Sequence, residues 1–413
     1  MWRNLAVAAA LLIVVGGFAQ IFIHHSTSTP TQATKLSWRA GSIPSGIADL
    51  YARTDWRTLP IAPSDGSTIY GCDFPSIQQT VSSATSQVAA GPAVWVSHDR
   101  ALHWQQVGRL PITRADLNVC YLTVDTLNPG IVIAVAAWGA VNGHPTSGQT
   151  ASFVTFTGGQ TWRPLSDASS AQIARFTTNH GVTYAYFDGV NSADRHLMVS
   201  ANGMQTWHAI DQAIVATGQS VLDFTVAPDG VVIWAQAGKD GVPTRSLWVS
   251  RDAGQTWSPQ PGPTAEQYVF GAGSAPTLET ICASEYDGSR IASAPNLLSC
   301  SEDGGGHWNA RLGLNIPASV VTGPAHVGQS APIQLLGVAS DGSVLALDDG
   351  SATPTIYRLA NAAQQWRLIG ALPVAARMVV VYYPQPGTGV LWASSAGAQP
   401  VQPTSMVYTT NYP

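Results

Sequence analysis

Seven charged side chains fall near the starts of strand-like stretches, and they are the residues best suited to bind a ligand. They are four arginines and three acids, namely Arg57, Arg114, Asp116, Arg175, Asp223, Glu279 and Arg377. Arginine holds a carboxylate through two parallel N–H donors, so this set could bind an anionic ligand. The alternative is that these side chains pair with one another and line a water-filled channel.

A repeated motif sets the framework that would position these residues. Its clearest copies combine Ser250, Asp252, Gly254 and Trp257 in one place and Ser301, Asp303, Gly305 and Trp308 in another, with identical spacing. Weaker copies keep the tryptophan and lose other members, at Ser97, Asp99 and Trp104, at Trp162, at Ser200, Asn202 and Trp207, and at Trp366. Self-similarity on this scale is typical of blades or solenoid repeats.

The residue types in the motif predict a hairpin turn with a packing anchor. A short Asp or Asn side chain accepts hydrogen bonds from backbone amides a few residues on. Glycine supplies positive φ without a steric penalty, and the tryptophan buries a large apolar ring.

The stretches between the motifs predict four antiparallel strands in each repeat. Residues 221–227 and 231–237 flank an Asp-Gly pair, which is the strongest short hairpin signal. Residues 246–250 lead into the motif, and a fourth strand begins at Trp257.

The motif resembles the Asp-box, or bacterial neuraminidase repeat, of sialidase-type β-propellers, which also occurs in photosystem assembly-factor propellers and sortilin-type receptors. This resemblance covers the chain beyond its N-terminal segment and implies an all-β propeller of four-stranded blades. It also implies that the boxes lie on the rim away from the ligand site. The innermost strands would start at the opposite face, where the seven charged residues would surround a funnel. The motif is specific for architecture and not for activity.

The spacing of the motif tryptophans predicts seven blades, with six as the alternative. After Trp366, strand-like stretches at 377–383, 389–394 and 405–410 remain without a fourth. The sequence that follows Trp38 is similar to those after Trp366 and Trp104. We therefore expect it to complete the last blade and close the ring.

The composition argues against a nucleic-acid partner and shows no cofactor or metal motif. Charged residues make up 10% of the 413 residues, the net charge is −5, and Lys35 and Lys239 are the only lysines. A phosphate-binding surface needs clustered basic residues. His98, His103 and His307 belong to motif turns and are expected to be solvated.

The N-terminal segment predicts export and a single membrane anchor. Residues 1–4 form a cytoplasmic stub, and the apolar run at 5–23 is just long enough to span a bilayer. Residues 24–36 would form a flexible linker, and 37–413 would form an extracytoplasmic propeller. A cleaved signal peptide is the alternative, because small residues at 17–19 suit signal peptidase.

Four cysteines in an exported chain favour disulfides. Cys72 and Cys120 would lie at the same face of two successive blades, so a bridge could join them. Cys282 and Cys300 would be one strand apart, near the upper limit of disulfide reach. Free buried thiols are the alternative for both pairs.

The sequence therefore predicts a membrane-anchored binding or scaffold module for a protein or glycan partner. The alternative is an exo-acting glycoside hydrolase of sialidase type. The resemblance implies that such an enzyme would need an arginine triad, a tyrosine activated by a glutamate, and an aspartate acid/base. Arg109 lies on a predicted outer strand, and Tyr286 beside Glu285 lies in a predicted turn, so the pattern is not reproduced.

Overall fold

The computed structural model describes an all-β domain. The described residues are 36–42, 44, 65–72, 91–113, 117–138, 150–165, 172–188, 195–239, 241–242, 244–263, 265–270, 280–285, 298–311, 333–339, 342–348, 354–360, 366–373, 378–385, 388–394 and 406–412. The chain divides into residues 1–34 and 35–413, and all described residues belong to the second unit. The predicted stub, the apolar run at 5–23 and most of the linker lie outside them. Within the described ranges, no helix is long and apolar enough to cross a membrane.

The strands form antiparallel sheets that follow one another along the chain. The first three sheets hold β2 (Ile69–Cys72), β3 (Ala93–Ser97) and β4 (Gln105–Arg109); β5 (Leu117–Val124), β6 (Val132–Trp138), β7 (Thr150–Thr155) and β8 (Arg163–Pro164); and β9 (Gln172–Asn179), β10 (Val182–Asp188), β11 (His196–Ser200) and β12 (His208–Ala209). Helix α1 (Gln212–Val215) follows β12.

The remaining strands continue the same pattern. An eight-stranded sheet holds β13 (Ser220–Val226), β14 (Ile233–Gly238), β15 (Arg245–Ser250), β16 (Ser258–Pro259), β17 (Ala265–Phe270), β18 (Ile281–Glu285), β19 (Leu298–Ser301) and β20 (Asn309–Arg311). The last two sheets hold β21 (Ile333–Val338), β22 (Val344–Asp348), β23 (Thr355–Leu359) and β24 (Arg367–Ala371); and β25 (Met378–Gln385), β26 (Thr388–Ser394), β27 (Met406–Tyr412) and β1 (Arg39–Ser42). A single bridge, Arg245 opposite Ala265, joins the two halves of the eight-stranded sheet.

Apolar cores lie between successive sheets. Val135 and Val154 of the β5–β8 sheet pack with Phe176 and Phe187 of the β9–β12 sheet. Similar cores join the other neighbouring sheets along the chain. This face-to-face stacking of antiparallel sheets is consistent with a β-propeller.

The last sheet is completed by the N-terminal strand and lies against the first sheet. Strand β1 pairs with β27 antiparallel, with Arg39 opposite Thr409. A Cβ atom placed on Gly41 would lie 2.7 Å from the carbonyl oxygen of Ala101. Strand β1 therefore runs against the turn that follows β3.

Trp38 makes the same contact as a motif tryptophan. Its indole N–H donates to the Ala371 carbonyl at 2.9 Å, just as that of Trp257 donates to the Ile210 carbonyl at 2.5 Å. Leu36, which the sequence assigns to the linker, packs in the same region, where a Cβ on Gly370 would lie 2.8 Å from its Cγ. Because the apolar Leu36 side chain packs here, the folded domain begins before the predicted boundary at residue 37.

The motif turns satisfy their own polar groups. The Ser250 hydroxyl donates to Asp252 Oδ1 at 2.8 Å and accepts the Gly254 amide at 2.7 Å. Asp252 also accepts the amide and hydroxyl of Thr256 at 2.8 and 2.6 Å. Gly254 has φ 91°, which favours glycine. The turns that begin at Ser97, Ser200 and Ser301 repeat the Ser-centred bonds.

The motif tryptophans are buried to different extents. Trp207 and Trp257 are 8% and 9% exposed, whereas Trp104, Trp162, Trp308 and Trp366 are half-buried. The following strand begins one residue after the tryptophan, as β16 does at Ser258. The tryptophan therefore stands at the corner between turn and strand.

The histidines of the motif turns are exposed, as the sequence predicts, and each also makes a local hydrogen bond. His103 and His307 are exposed, but each ring Nδ1 lies 2.5 Å from the carboxylate of its own motif aspartate, Asp99 or Asp303. The amide of His103, followed by its ring, holds the pKa of Asp99 well below its usual value. His98 Nδ1 lies 3.0 Å from the Thr68 hydroxyl.

Both cysteine pairs are joined as disulfides. Cys72 on β2 is bonded to Cys120 on β5, which links two sheets, with a Cα–Cα distance of 6.3 Å. Cys282 and Cys300 are bonded within one sheet at a Cα–Cα distance of 4.1 Å. The expectation that this pair lies near the upper limit of reach is wrong, because the register places the two residues directly opposite each other.

Candidate functional site

The first strands of successive sheets carry a bulge that positions their polar side chains. Strands β9 and β13 each contain one extra residue, at Ala174 and Leu222. Strands β5 and β17 also have a bulge near their starts, whereas the bulge of β21 lies nearer its end. A bulge re-aims the side chains beside it. The residues that follow the bulges in β9 and β13 are Arg175 and Asp223.

Arg175 and Asp223 form an ion pair between two first strands. Arg175 Nη1 donates to Asp223 Oδ1 at 2.7 Å, and the side chains are 39% and 36% exposed. The guanidinium lies over the Phe224 ring, 5.9 Å from its centroid, and the Phe224 amide donates to the same Asp223 oxygen at 2.8 Å. Two of the predicted ligand-binding residues therefore pair with each other, as the alternative interpretation of the charges expects.

A second polar group stands beside this pair, on β10 and at the residue just before β11. Tyr186 is opposite Arg175 in the sheet register. Its hydroxyl donates to Asp188 Oδ1 at 3.3 Å, and Arg195 Nε donates to the same oxygen at 3.0 Å. We call Arg175, Tyr186, Asp188, Arg195 and Asp223 the Arg175 cluster.

Electrostatics connect the two halves of the cluster. Burial, followed by the negative charge of Asp188, raises the pKa of Tyr186, and Asp223 acts on it in the same direction. The Tyr186 hydroxyl therefore remains protonated and acts as a hydrogen-bond donor to a carboxylate.

Several hydrogen-bonding atoms of the cluster have no partner among the described residues. Asp188 and Asp223 accept bonds through Oδ1 alone, and their side chains are 45% and 36% exposed. Arg175 gives one N–H to Asp223, although a guanidinium has five donors. The cluster thus presents both acceptors and donors to solvent.

The chain between β12 and β13 is fixed beside the cluster at both of its ends. Asp211, fully buried, accepts the Leu197 amide at 2.9 Å and faces His196 Nδ1 at 3.2 Å. Burial raises the pKa of this carboxyl group, while the Leu197 amide acts the other way. At the other end, Gln219 Oε1 accepts the Trp248 indole N–H at 3.1 Å.

The cluster lies at the edge of the sheets opposite the motif turns. Strand β9 ends where β11 runs into the turn at Ser200, because Thr183 pairs with Ser200 on one side and with Thr178 on the other. Arg175 and Asp188 belong to the halves of their strands away from that turn. Five predicted ligand residues, Arg57, Arg114, Asp116, Glu279 and Arg377, lie outside the described residues.

Tyr186, Asp188 and Arg195 were not predicted as site residues. The sequence carries a partial signal, since Asp188 and Arg195 are opposite charges at the two ends of the short connection between β10 and β11. That Tyr186 and Arg195 both donate to Asp188 Oδ1 becomes evident only when β10 and β11 are paired. Across the described ranges, no three His, Cys, Asp or Glu side chains gather as a metal site.

No family model matches this chain, and no curated protein matches it either. Among solved structures, it is similar to a GH74 enzyme from Niastella koreensis, with 12% identity over 85% of this chain and 52% of that one and a TM-score of 0.49. This chain therefore spans about half the length of that enzyme.

Two other solved structures cover this chain more fully. YCF48 bound to a D1 peptide has 12% identity over 92% of this chain and 99% of that one, with a TM-score of 0.47. The polysaccharide lyase Uly1 has 10% identity over 91% and 99%, with a TM-score of 0.48. These neighbours are β-propeller proteins, and at such identities the likeness assigns neither activity nor partner.

Proposed function

We propose that this protein is a seven-bladed Asp-box propeller that serves as a membrane-anchored, extracytoplasmic binding or scaffold module. Its ligand, a protein or a glycan, would bind at the Arg175 cluster. The count of seven is supported by the repeat of four strands, which divides the eight-stranded sheet into β13–β16 and β17–β20. It is also supported by the pairing of β1 with β27. The anchor is supported by the apolar run at 5–23.

One observation carries the binding role. The cluster holds charged side chains in fixed positions at the edge away from the motif turns, and it leaves carboxylate and guanidinium atoms open to solvent. Ligand sites combine a few precisely placed polar groups with a rigid frame. Here the frame is a pair of bulged strands, and each charge has an opposite charge beside it.

The competing function is glycoside hydrolysis of sialidase type. Sialidase-type hydrolysis is considered because one cluster contains a tyrosine, two acids and two arginines. A tyrosine nucleophile needs a base that removes its proton. Burial, followed by the negative charge of Asp188, instead raises the pKa of Tyr186, so the hydroxyl keeps its proton while it donates a hydrogen bond to Asp188. This arrangement supports binding over catalysis.

The proposal is tested on the full chain, purified in a detergent without a sugar headgroup. The chain is screened against a glycan array and a peptide array, and hits are titrated against Arg175→Gln and Arg251→Gln. Arg251 is an exposed arginine in a motif turn and is the matched control. We expect Arg175→Gln to weaken binding by about tenfold or more, because a charged hydrogen bond is worth about 1.5–3 kcal/mol. Equal binding by both variants would contradict the assignment of the site.

Hydrolysis is measured on the same preparation with fluorogenic sialosides and glycosides. We expect no turnover above that of a Tyr186→Phe variant. Turnover that this change abolishes would replace the binding role with the enzymatic one.

A further inference from the structure

We infer that the Arg175 cluster selects an uncharged, polyhydroxylated sugar over an acidic sugar. This inference rests on the proposed function and narrows it to one ligand class. The inference follows from the pairing of opposite charges in the cluster and from the donor and acceptor atoms that the cluster leaves open to solvent.

Among the residues that the structure describes, each arginine of the cluster has an aspartate beside it. Arg175 is paired with Asp223, and Arg195 is paired with Asp188, so two cations face two anions. A ligand carboxylate that took an arginine N–H here would stand beside an aspartate already bonded to that arginine. Like charges at such distances repel. Wherever an arginine of the cluster attracts the carboxylate of an acidic sugar, the aspartate paired with that arginine repels it.

The atoms of the cluster that remain open to a ligand include both hydrogen-bond acceptors and hydrogen-bond donors. Oδ2 of Asp188 and of Asp223 accepts no bond from the described residues, whereas Arg175 has further N–H donors. A carboxylate ligand supplies only acceptors, and an ammonium ligand supplies only donors. A sugar hydroxyl is both donor and acceptor. Adjacent hydroxyls can donate to a carboxylate oxygen and accept from the neighbouring guanidinium.

The donors and acceptors are held in place before a ligand arrives. The Phe224 ring lies under the Arg175 guanidinium, and the Phe224 amide holds the Asp223 oxygen. Tyr186 and Arg195 hold Asp188 from two sides. Fixed groups lose little conformational freedom on binding, which favours small ligands with many weak contacts.

The test is isothermal titration of the full chain with four probes. Two probes are neutral, mannotriose and cellotriose, and two are acidic, trigalacturonate and sialyllactose. Each is titrated at low and high salt into the parent, into Asp223→Asn and into Asp229→Asn. Asp229 is a matched control because it is an exposed aspartate in the turn between β13 and β14, where it accepts one backbone amide.

We expect a neutral probe to bind more tightly than both acidic probes, with a Kd that changes less than about twofold between the two salt concentrations. Asp223→Asn should weaken that binding by about tenfold, since an amide replaces one acceptor by a donor. Asp229→Asn should leave it unchanged.

Two results would overturn the inference and keep the proposed function. One is tighter binding of an acidic probe, weakened by salt and by Arg175→Gln. The other is binding of peptide-array hits in place of all four sugars, still lost in Asp223→Asn. If binding of every hit is equal in the parent and in Asp223→Asn, both the inference and the proposed site fail.

Discussion

The two edges of the sheets use polar residues in opposite ways. At the motif edge, Ser250 and Asp252 form their hydrogen bonds within one short turn, and the same pattern recurs in other turns. At the opposite edge, Arg175 reaches from one sheet to Asp223 of the next and leaves atoms open to solvent. In the part of the chain that the structure describes, the repeated polar residues build the frame, whereas the incompletely bonded Arg175 cluster has the features of a site.

This contrast separates stability from binding. Changes to the bonded residues of the motif turns, such as Ser250 and Asp252, should lower the free energy of unfolding and leave ligand affinity alone. Changes in the Arg175 cluster should weaken ligand binding and leave the free energy of unfolding nearly unchanged. The following predictions test this separation, from the largest expected effect to the smallest.

Trp257→Ala should destabilise the domain by about 3–5 kcal/mol, because it removes a ring buried between two sheets. Denaturant unfolding at equilibrium measures the change. The control is Trp104→Ala, where the ring is half-buried and a smaller loss is expected. A loss below about 1 kcal/mol for Trp257 would mean that the motif does not anchor the sheets.

Ser250→Ala should cost about 1–3 kcal/mol, since it leaves the buried Gly254 amide without its acceptor. The control is Ser258→Ala on the exposed outer strand. If both serines gave the same small change in unfolding free energy, the motif turn would not depend on its side-chain bonds.

Asp99→Asn should lower the melting temperature at neutral pH, with a difference from the parent that shrinks as the pH falls below about 4. The folded pKa of Asp99 lies below its unfolded value. Its stabilising contribution is therefore present above the unfolded pKa and is lost as the pH falls through the folded pKa. Thermal melts from pH 3 to 7 measure this. A difference that stayed constant with pH would exclude a charge effect.

Asp223→Asn and Arg175→Gln should each change stability by less than about 1 kcal/mol, because exposed ion pairs contribute little. Chemical denaturation of both variants and of the double variant measures the effect. A loss of several kcal/mol would place this pair with the structural residues of the opposite edge.

The sequence is informative about the repeated parts of the molecule and less so about its single features. The offsets from Ser to Trp predict the turns, and the match between Trp38 and Trp366 predicts the strand that joins β27. Periodic residues can be recognised because each copy supports the others. Leu36 carries no such pattern, so its packing was missed.

The cluster was half predicted, for a similar reason. Arg175 and Asp223 can be predicted because they are charged and lie near strand starts. Their contact depends on bulges at Ala174 and Leu222, and no residue type there signals a bulge. Asp188 and Arg195 meet Tyr186 through strand pairing, which is a long-range property. The distance between Cys282 and Cys300 depends on the register of their two strands, which the spacing of the cysteines does not give.

The most direct test of the separation between the two edges is the affinity of an array hit for two variants of the full chain. Arg175→Gln lies in the cluster, and Arg251→Gln lies in a motif turn. We predict that Arg175→Gln binds about tenfold more weakly than the parent, that Arg251→Gln binds like the parent, and that all three unfold at the same denaturant concentration. Weaker binding by Arg251→Gln, or unchanged binding by Arg175→Gln, would contradict the assignment of binding to the Arg175 cluster and of stability to the motif turns.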